Sequence, residues 1–276
     1  MSATASIALH DGKVMPRLGF GLWQVPPEIA EDVTGYALKA GYRSIDTARA
    51  YFNEVGVGRA LAASGLAREE VFVTTKLWND DQGYSRTLKS FDESLHRLGL
   101  DQVDLYLMHW PSQSRDLYVE TWKAFIRLHK DGRAKSIGVS NFAIPHLQRL
   151  FDETGVVPVV NQVELHPLFQ QRGLRTFHQQ HGIVTESWSP LGRGAILDLP
   201  VITRIARKHQ RTPAQIIIRW HLENNLVVIP KSVTPSRILE NAQVFDFQLD
   251  VEDHAALASL DRVNGRMGPE PETALF

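Results

Sequence analysis

The chain has no cysteine, which excludes disulfides, thiolate nucleophiles and thiolate-held metals. It also lacks an excess of either charge: 30 basic against 31 acidic side chains leave −1 at pH 7. A nucleic-acid or anionic-membrane surface needs a basic footprint, and none is present. No apolar run approaches the roughly 20 residues that cross a bilayer. The first dozen residues lack the basic-then-apolar order of a signal peptide. A soluble, cytoplasmic protein is expected, with no nucleic-acid and no membrane partner. The 11 histidines form neither His-x-His nor His-Glu-x-x-His, so no metal site is expected. Gly138-Val139-Ser140-Asn141-Phe142 is not the Gly-x-Ser-x-Gly of a serine hydrolase. The Rossmann fingerprint is missing too: Gly56-Val57-Gly58 breaks at Leu61, and Gly192-Arg193-Gly194 breaks at Leu197.

What is present is alternation. A chain of 276 residues with 43% hydrophobic side chains can bury one large core, and α/β barrels reach this size as one domain. Ser6 to Leu9 and Lys13 to Met15 flank Asp11-Gly12, a hairpin signal. Short β-type runs follow at Leu18–Gly21, Ser44–Asp46, Val71–Thr75, Val103–Met108, Ser136–Val139, Val160–Val163, Ile183–Glu186 and Leu226–Ile229. Helical patterns separate them, starting with Glu28–Lys39, and two lie between Pro200 and Glu223. Val251–Leu260 predicts an extra helix, and the tail from Arg262 has no pattern. The expected fold class is α/β, a (β/α)8 TIM barrel over residues 1–276 with an N-terminal β-hairpin and extra helices.

Four ionisable groups fall at the carboxyl ends of three of these runs: Asp46, with Tyr51 five residues on, then Lys76 and His109. Barrel enzymes place their working groups at those ends. A phenol is a poor acid near neutrality, with an unperturbed pKa of about 10. An ammonium beside it favours the phenolate and lowers that value. Tyr51 is therefore the expected general acid, Lys76 and Asp46 its tuning pair, and His109 the group that orients the oxygen receiving the proton. Each residue taken singly would serve as well in a structural role.

These motifs, with TTKLWN at Thr74–Asn79 and LYLMHWP at Leu105–Pro111, resemble the aldo-keto reductases over nearly the whole chain. Within that family the sequence is similar to bacterial 2,5-diketo-D-gluconate reductases. The resemblance implies a hairpin over the amino-terminal mouth of the barrel and an NADP(H) cofactor across the other, since none of the four side chains carries a hydride. It implies that Ser140, Asn141 and Gln162 hold the nicotinamide carboxamide. Trp188 stands where a stacking tyrosine is usual, and Ser189, Leu191 and Gly192 lie along the pyrophosphate. In PKSVTPSRILEN, Lys231, Ser232, Val233, Thr234 and Arg237 would grip the 2′-phosphate, with Glu240 and Asn241 at the adenine. The fragment alone reads equally as a solvated helix start. Gly21-Leu22-Trp23 replaces the family's Gly-Thr-Trp, which puts one minor cofactor contact in doubt.

Trp23, Trp78 and Trp110 each follow a strand end, and with Ala50, Phe52 and His109 they are candidates for an apolar substrate pocket. The implied reaction is NADPH-dependent reduction of a small carbonyl substrate by a monomer. Sugar-derived keto acids, methylglyoxal-like dicarbonyls and general aldehydes remain open. The rival is a non-catalytic NADP(H)-binding accessory or structural protein, because one fold serves many functions.

Overall fold

The Asp11-Gly12 turn closes a hairpin in which β1 (Ser6–Ala8) pairs antiparallel with β2 (Val14–Pro16). Gly12 takes φ 83, a backbone conformation costly to any residue with a Cβ. The structure is a computed structural model that describes residues 6–274. Residues 1–5 and 275–276, the ends of the N-terminal stretch and of the tail read above, lie outside the described residues.

Eight parallel strands form one sheet. In chain order they are β3 (Phe20–Gly21), β4 (Ser44–Asp46), β5 (Phe72–Leu77), β6 (Val103–Met108), β7 (Ala134–Ser140), β8 (Val160–Glu164), β9 (Val184–Trp188) and β10 (Val227–Val228). The sheet closes on itself. Gly19 N donates to the Val228 carbonyl at 2.9 Å, Val228 N to the Arg17 carbonyl at 2.9 Å, and Gly21 N to the Pro230 carbonyl at 3.1 Å. Helices alternate with the strands: α1 (Ala30–Lys39), α2 (Glu54–Ala63), α3 (Tyr84–Leu98), α4 (Tyr118–Lys130), α5 (Ile144–Thr154) and α6 (Arg172–Gln180). Then come α7 (Pro200–His209), α8 (Pro213–Glu223), α9 (Pro235–Ala242) and α10 (Val251–Ala258). The (β/α)8 barrel with its hairpin and added helices is the observed fold.

Local chemistry sets the helix boundaries. Thr212 accepts from Gln215 N and Gln215 reaches back to Thr212 N, while Pro213 starts α8 where a missing N–H costs nothing. Asp250 and Asp253 make the same reciprocal cap at α10. The first helix is shorter than expected, because Pro27–Ile29 forms a 3₁₀ turn before α1.

Alternation along the strands divides the interior into two levels. The lower level is apolar: Leu105, Leu107, Val160, Val184 and Val227 pack with Leu9 and Met15 of the hairpin, which plugs the amino-terminal end. The upper level is polar and buried, with Asp46, Lys76, Gln162 and Glu186 projecting from β4, β5, β8 and β9. Strand ends differ from the sequence expectation where pairing continues. Lys76 pairs with Leu107 and Trp188 with Glu164, so Lys76 lies within β5 and Trp188 closes β9.

Candidate active site

The four ionisable groups converge. Lys76, with a fully buried side chain, donates from Nζ to Asp46 Oδ1 at 2.5 Å and to the Thr47 carbonyl at 2.9 Å. Its third direction meets the Tyr51 hydroxyl at 3.5 Å, the long limit of a hydrogen bond. The His109 ring stands edge-on between Tyr51, 5.6 Å between centroids, and Trp78, 5.2 Å.

Tyr51 reaches this point on a 3₁₀ turn, Arg49–Tyr51, that follows β4. Phe52 ends the turn with φ 57, and Asn53 ties it down. Asn53 is 1% exposed, accepts from Thr47 Oγ1 at 2.7 Å and donates to the carbonyls of Leu22 and Val25 at 3.0 and 3.1 Å. A short loop held at both ends by one buried amide keeps the phenol in place. The sequence reading did not identify Asn53.

Electrostatics correct one expectation. Lys76 does lower the Tyr51 pKa, as expected, but burial outweighs it and the phenol is pushed up to about 12. Burial is the largest cause; the Lys76 charge opposes it, while Asp46 adds to it. Lys76 itself lies above its ordinary value: burial pulls it down, and the Asp46 carboxylate followed by Tyr51 more than compensates. Burial, then the Lys76 charge, hold His109 well below its ordinary value, so the imidazole is neutral. Its Nδ1 is buried without a hydrogen-bond partner among the described residues.

A cavity of about 470 Å³ opens above these groups. That volume is within the range of about 300–1,000 Å³ usual for small-molecule sites. Tyr51, Asp46 and His109 line it, as do all the expected pocket residues: Trp23, Ala50, Phe52, Trp78 and Trp110. Of the expected cofactor residues, Gly21, Ser140, Asn141, Gln162, Trp188, Ser189 and Lys231 also line it. Gly21 matters for its lack of a side chain, since a Cβ there would come 2.9 Å from the Ile229 carbonyl oxygen.

The remaining cofactor candidates lie away from the wall. Leu22 is fully buried in the core, and Leu191 packs against the core from a half-buried position. Gly192 is buried with φ 55. Ser232 Oγ accepts from Thr234 N at 3.1 Å just before α9. Val233, Thr234 and Arg237 are exposed there, while Asn241 is buried. Glu240 accepts from Thr212 Oγ1 at 2.8 Å.

The carboxamide candidates are interlocked. Asn141 Nδ2 donates to the His109 carbonyl at 2.9 Å and to Ser140 Oγ at 3.1 Å, and Ser140 Oγ donates to the Gln162 carbonyl at 2.8 Å. Trp188 Nε1 donates to Asn141 Oδ1 at 2.8 Å and fixes the indole. The hydrogens of these side chains are already engaged, so they face the cavity chiefly as acceptors, which suits an incoming amide NH₂.

Arg49, Pro190, Arg193, Ile229 and Pro269 line the cavity as well, and the sequence reading did not name them as site residues. Arg193, with φ 53, places its guanidinium 5.3 Å from the centre of the Trp23 ring, across the mouth. Pro269 belongs to the patternless tail. Glu164 holds that tail by accepting from Met267 N at 2.6 Å and Gly268 N at 2.8 Å. Among the described residues no His, Asp or Glu cluster could hold a metal ion.

The sequence model of the Aldo/keto reductase family matches residues 17–262. The methylglyoxal reductase DkgA of Salmonella typhimurium is 56% identical over 274 residues, covering 99% of this chain and 98% of that protein. An aldo-keto reductase of Mycobacterium sp. (strain KMS) is 54% identical over 270 residues, 98% of each. A crystal structure of a Gox0644 mutant in complex with NADPH superposes with a TM-score of 0.96 at 55% identity, covering 100% of both chains.

Proposed function

This chain belongs to the aldo/keto reductase family, and from that premise we propose that it reduces small dicarbonyls and keto sugar acids with Tyr51 as the general acid. It is an NADP-dependent oxidoreductase. The bound nicotinamide supplies the hydride. The chain's own residues account for the rest.

The cavity wall fits that cofactor. Ser140, Asn141 and Gln162 offer oxygen acceptors to the carboxamide, and the fixed Trp188 indole offers a flat face to the ring. Gly21 leaves room beside them, with Leu22 next to it. Ser189, Leu191 and Gly192 would border the pyrophosphate. Lys231 and Arg237, exposed and without an ion pair among the described residues, would take the 2′-phosphate with Ser232, Val233 and Thr234. Glu240 and Asn241 would flank the adenine, Glu240 keeping Thr212 on Oε1.

The observation that carries the reading is the buried Lys76 ammonium between Asp46 and the Tyr51 hydroxyl at the cavity floor. A phenol held protonated at neutral pH can give its proton to an oxygen on which negative charge develops. The ammonium then stabilises the phenolate left behind. Neutral His109 can position that oxygen by hydrogen bonding. Trp23, Phe52, Trp78 and Trp110 make the walls largely apolar. Arg193, like Lys231, is a cation lining the cavity without a carboxylate partner among the described residues, whereas Arg49 is paired with Asp81 at 2.9 Å.

Relatives named methylglyoxal reductase support small dicarbonyls, and Arg193 supports a substrate with a carboxylate. A purely structural role is disfavoured, because it would not require a buried lysine aimed at a phenol. The reading treats residues 1–276 as one domain acting as a cytoplasmic monomer, without nucleic-acid or membrane partners. Its test is Tyr51→Phe: methylglyoxal reduction should fall by at least about a hundredfold in kcat, with the Kd for NADPH within about twofold. A variant that keeps wild-type kcat would place the acid elsewhere.

A further inference from the structure

The floor of the cavity holds one more acid than this reaction uses. Glu186 projects from β9, fully buried and in register with Gln162 on β8. Gln162 Nε2 donates to Glu186 Oε2 at 2.8 Å and to Asp46 Oδ2 at 2.9 Å. An amide nitrogen carries two hydrogens, so both are committed. Asp46 Oδ1 takes Lys76, and Lys76 reaches Tyr51. Glu186 therefore ends a continuous chain that begins at the phenol. Its second oxygen, Oε1, is buried without a hydrogen-bond partner among the described residues.

We propose that Glu186 is a positioning residue for the reduction: it holds Gln162 with Oε1 directed to the cavity and braces Asp46–Lys76 from the side opposite Tyr51. The inference rests on the function proposed above. With both N–H groups held by carboxyl groups, the amide oxygen must point away from them, and Gln162 lines the cavity. An apolar residue at 186 would free one buried N–H and let the amide turn over. The cavity would then meet a donor where the bound carboxamide requires an acceptor.

Charge supports the same assignment. Glu186 is faced by Asp46 from β4, Lys76 from β5 and Tyr51 from the turn after β4. Burial first, then the Asp46 carboxylate, push its carboxyl up to about 8, against the Gln162 hydrogen bond and Lys76. Near neutrality it is a neutral acid, and the floor carries one negative and one positive charge. Its folded pKa lies above its unfolded one. Between the two values the folded state binds a proton that the unfolded state does not, so stability from this site falls as pH rises through that window.

The test compares Glu186→Leu and Glu186→Gln with the wild type. Four measurements are made: the NADPH Kd by tryptophan fluorescence, kcat with methylglyoxal, melting of the cofactor-free protein from roughly pH 5 to roughly pH 9, and infrared spectra at neutral pH. E186L should weaken NADPH binding by about tenfold or more and also lower kcat. E186Q, whose amide oxygen can accept the same bond, should restore both near neutrality. The wild type should lose melting temperature relative to E186Q as pH rises. Infrared spectra at neutral pH should show a protonated-carboxyl band in the wild type and none in E186Q. Wild-type binding by E186L, or E186Q no better than E186L, would overturn the proposal. Where E186L does not fold, Glu186→Ala replaces it in the same measurements, and wild-type NADPH binding with wild-type kcat in that variant would overturn the proposal equally. Tyr51→Phe separates the two readings, since it removes the proton donor and leaves Gln162 in place.

Discussion

Replacing Lys76 by methionine isolates what the buried ammonium does. In the native protein its side chain is 0% exposed and that of Asp46 3%, with Nζ to Oδ1 at 2.5 Å. Without the ammonium, Asp46 keeps the Gln162 N–H at 2.9 Å and the Thr47 carbonyl loses its donor. Removing one member of a buried ion pair costs about 3–5 kcal/mol, mostly because the other charge stays buried. For a chain of this size, that is a fall of roughly 10 °C in Tm. Lys76 has a pKa above its ordinary value, so its contribution is fully present below the unfolded value and is lost only as pH rises through the folded one. Neutral buffer is therefore the right condition.

The double variant Asp46→Asn with Lys76→Met removes both charges and should recover about 2–3 kcal/mol of the loss. Turnover should behave differently. Lys76→Met should lower kcat by about 10²–10³-fold, the usual effect of deleting one group that stabilises developing charge, and the double variant should not restore it. Melting curves and steady-state NADPH oxidation on the same preparations read out both. A single variant within about 1 kcal/mol of wild type, or a double variant that regains turnover, would refute the reasoning.

Two further expectations follow from exposed and crowded positions. Arg237→Met should raise the KM for NADPH by about tenfold or more and leave that for NADH nearly unchanged; equal changes would remove the phosphate role. Gly268→Ala would bring a Cβ 2.5 Å from Trp188 Cη2 and 2.8 Å from Glu164 Oε2, costing about 1–3 kcal/mol. Faster proteolysis of the tail and altered tryptophan fluorescence should report it, and no change in either would mean that the tail does not lean on the indole.

The barrel was legible because short β-type runs alternate with helices of the right length, and the tetrad because Asp46, Lys76 and His109 fall at or next to strand ends, with Tyr51 on the turn after β4. Other features depend on spatial neighbours that local sequence does not show. Lys76 lies inside β5 and Trp188 closes β9 because Leu107 and Glu164 continue the pairing. Asn53 reads as a loop amide until its partners Thr47, Leu22 and Val25 are seen around it. Glu186 had a readable signal, an acid in the middle of the buried run VTESW, but its partners Gln162 and Asp46 come from other strands. The tail showed no periodicity because it is held through backbone N–H groups on Glu164. Burial would raise that carboxyl, yet the His166 bond and the two N–H bonds keep it below its ordinary value.

The upward shift of Tyr51 is compatible with the proposed acid role. A phenol lowered toward neutrality by its lysine would already have lost part of its proton before a carbonyl arrived. Held up to about 12 by burial, it is fully protonated over the working range. The lysine then acts where it discriminates most, because its attraction to the phenolate exceeds its attraction to the neutral phenol. Interactions stronger in the transition state than in the ground state are the ones that raise a rate. By the same logic a second negative charge on the floor would oppose the phenolate, so the proton that burial and Asp46 keep on Glu186 favours the transition state.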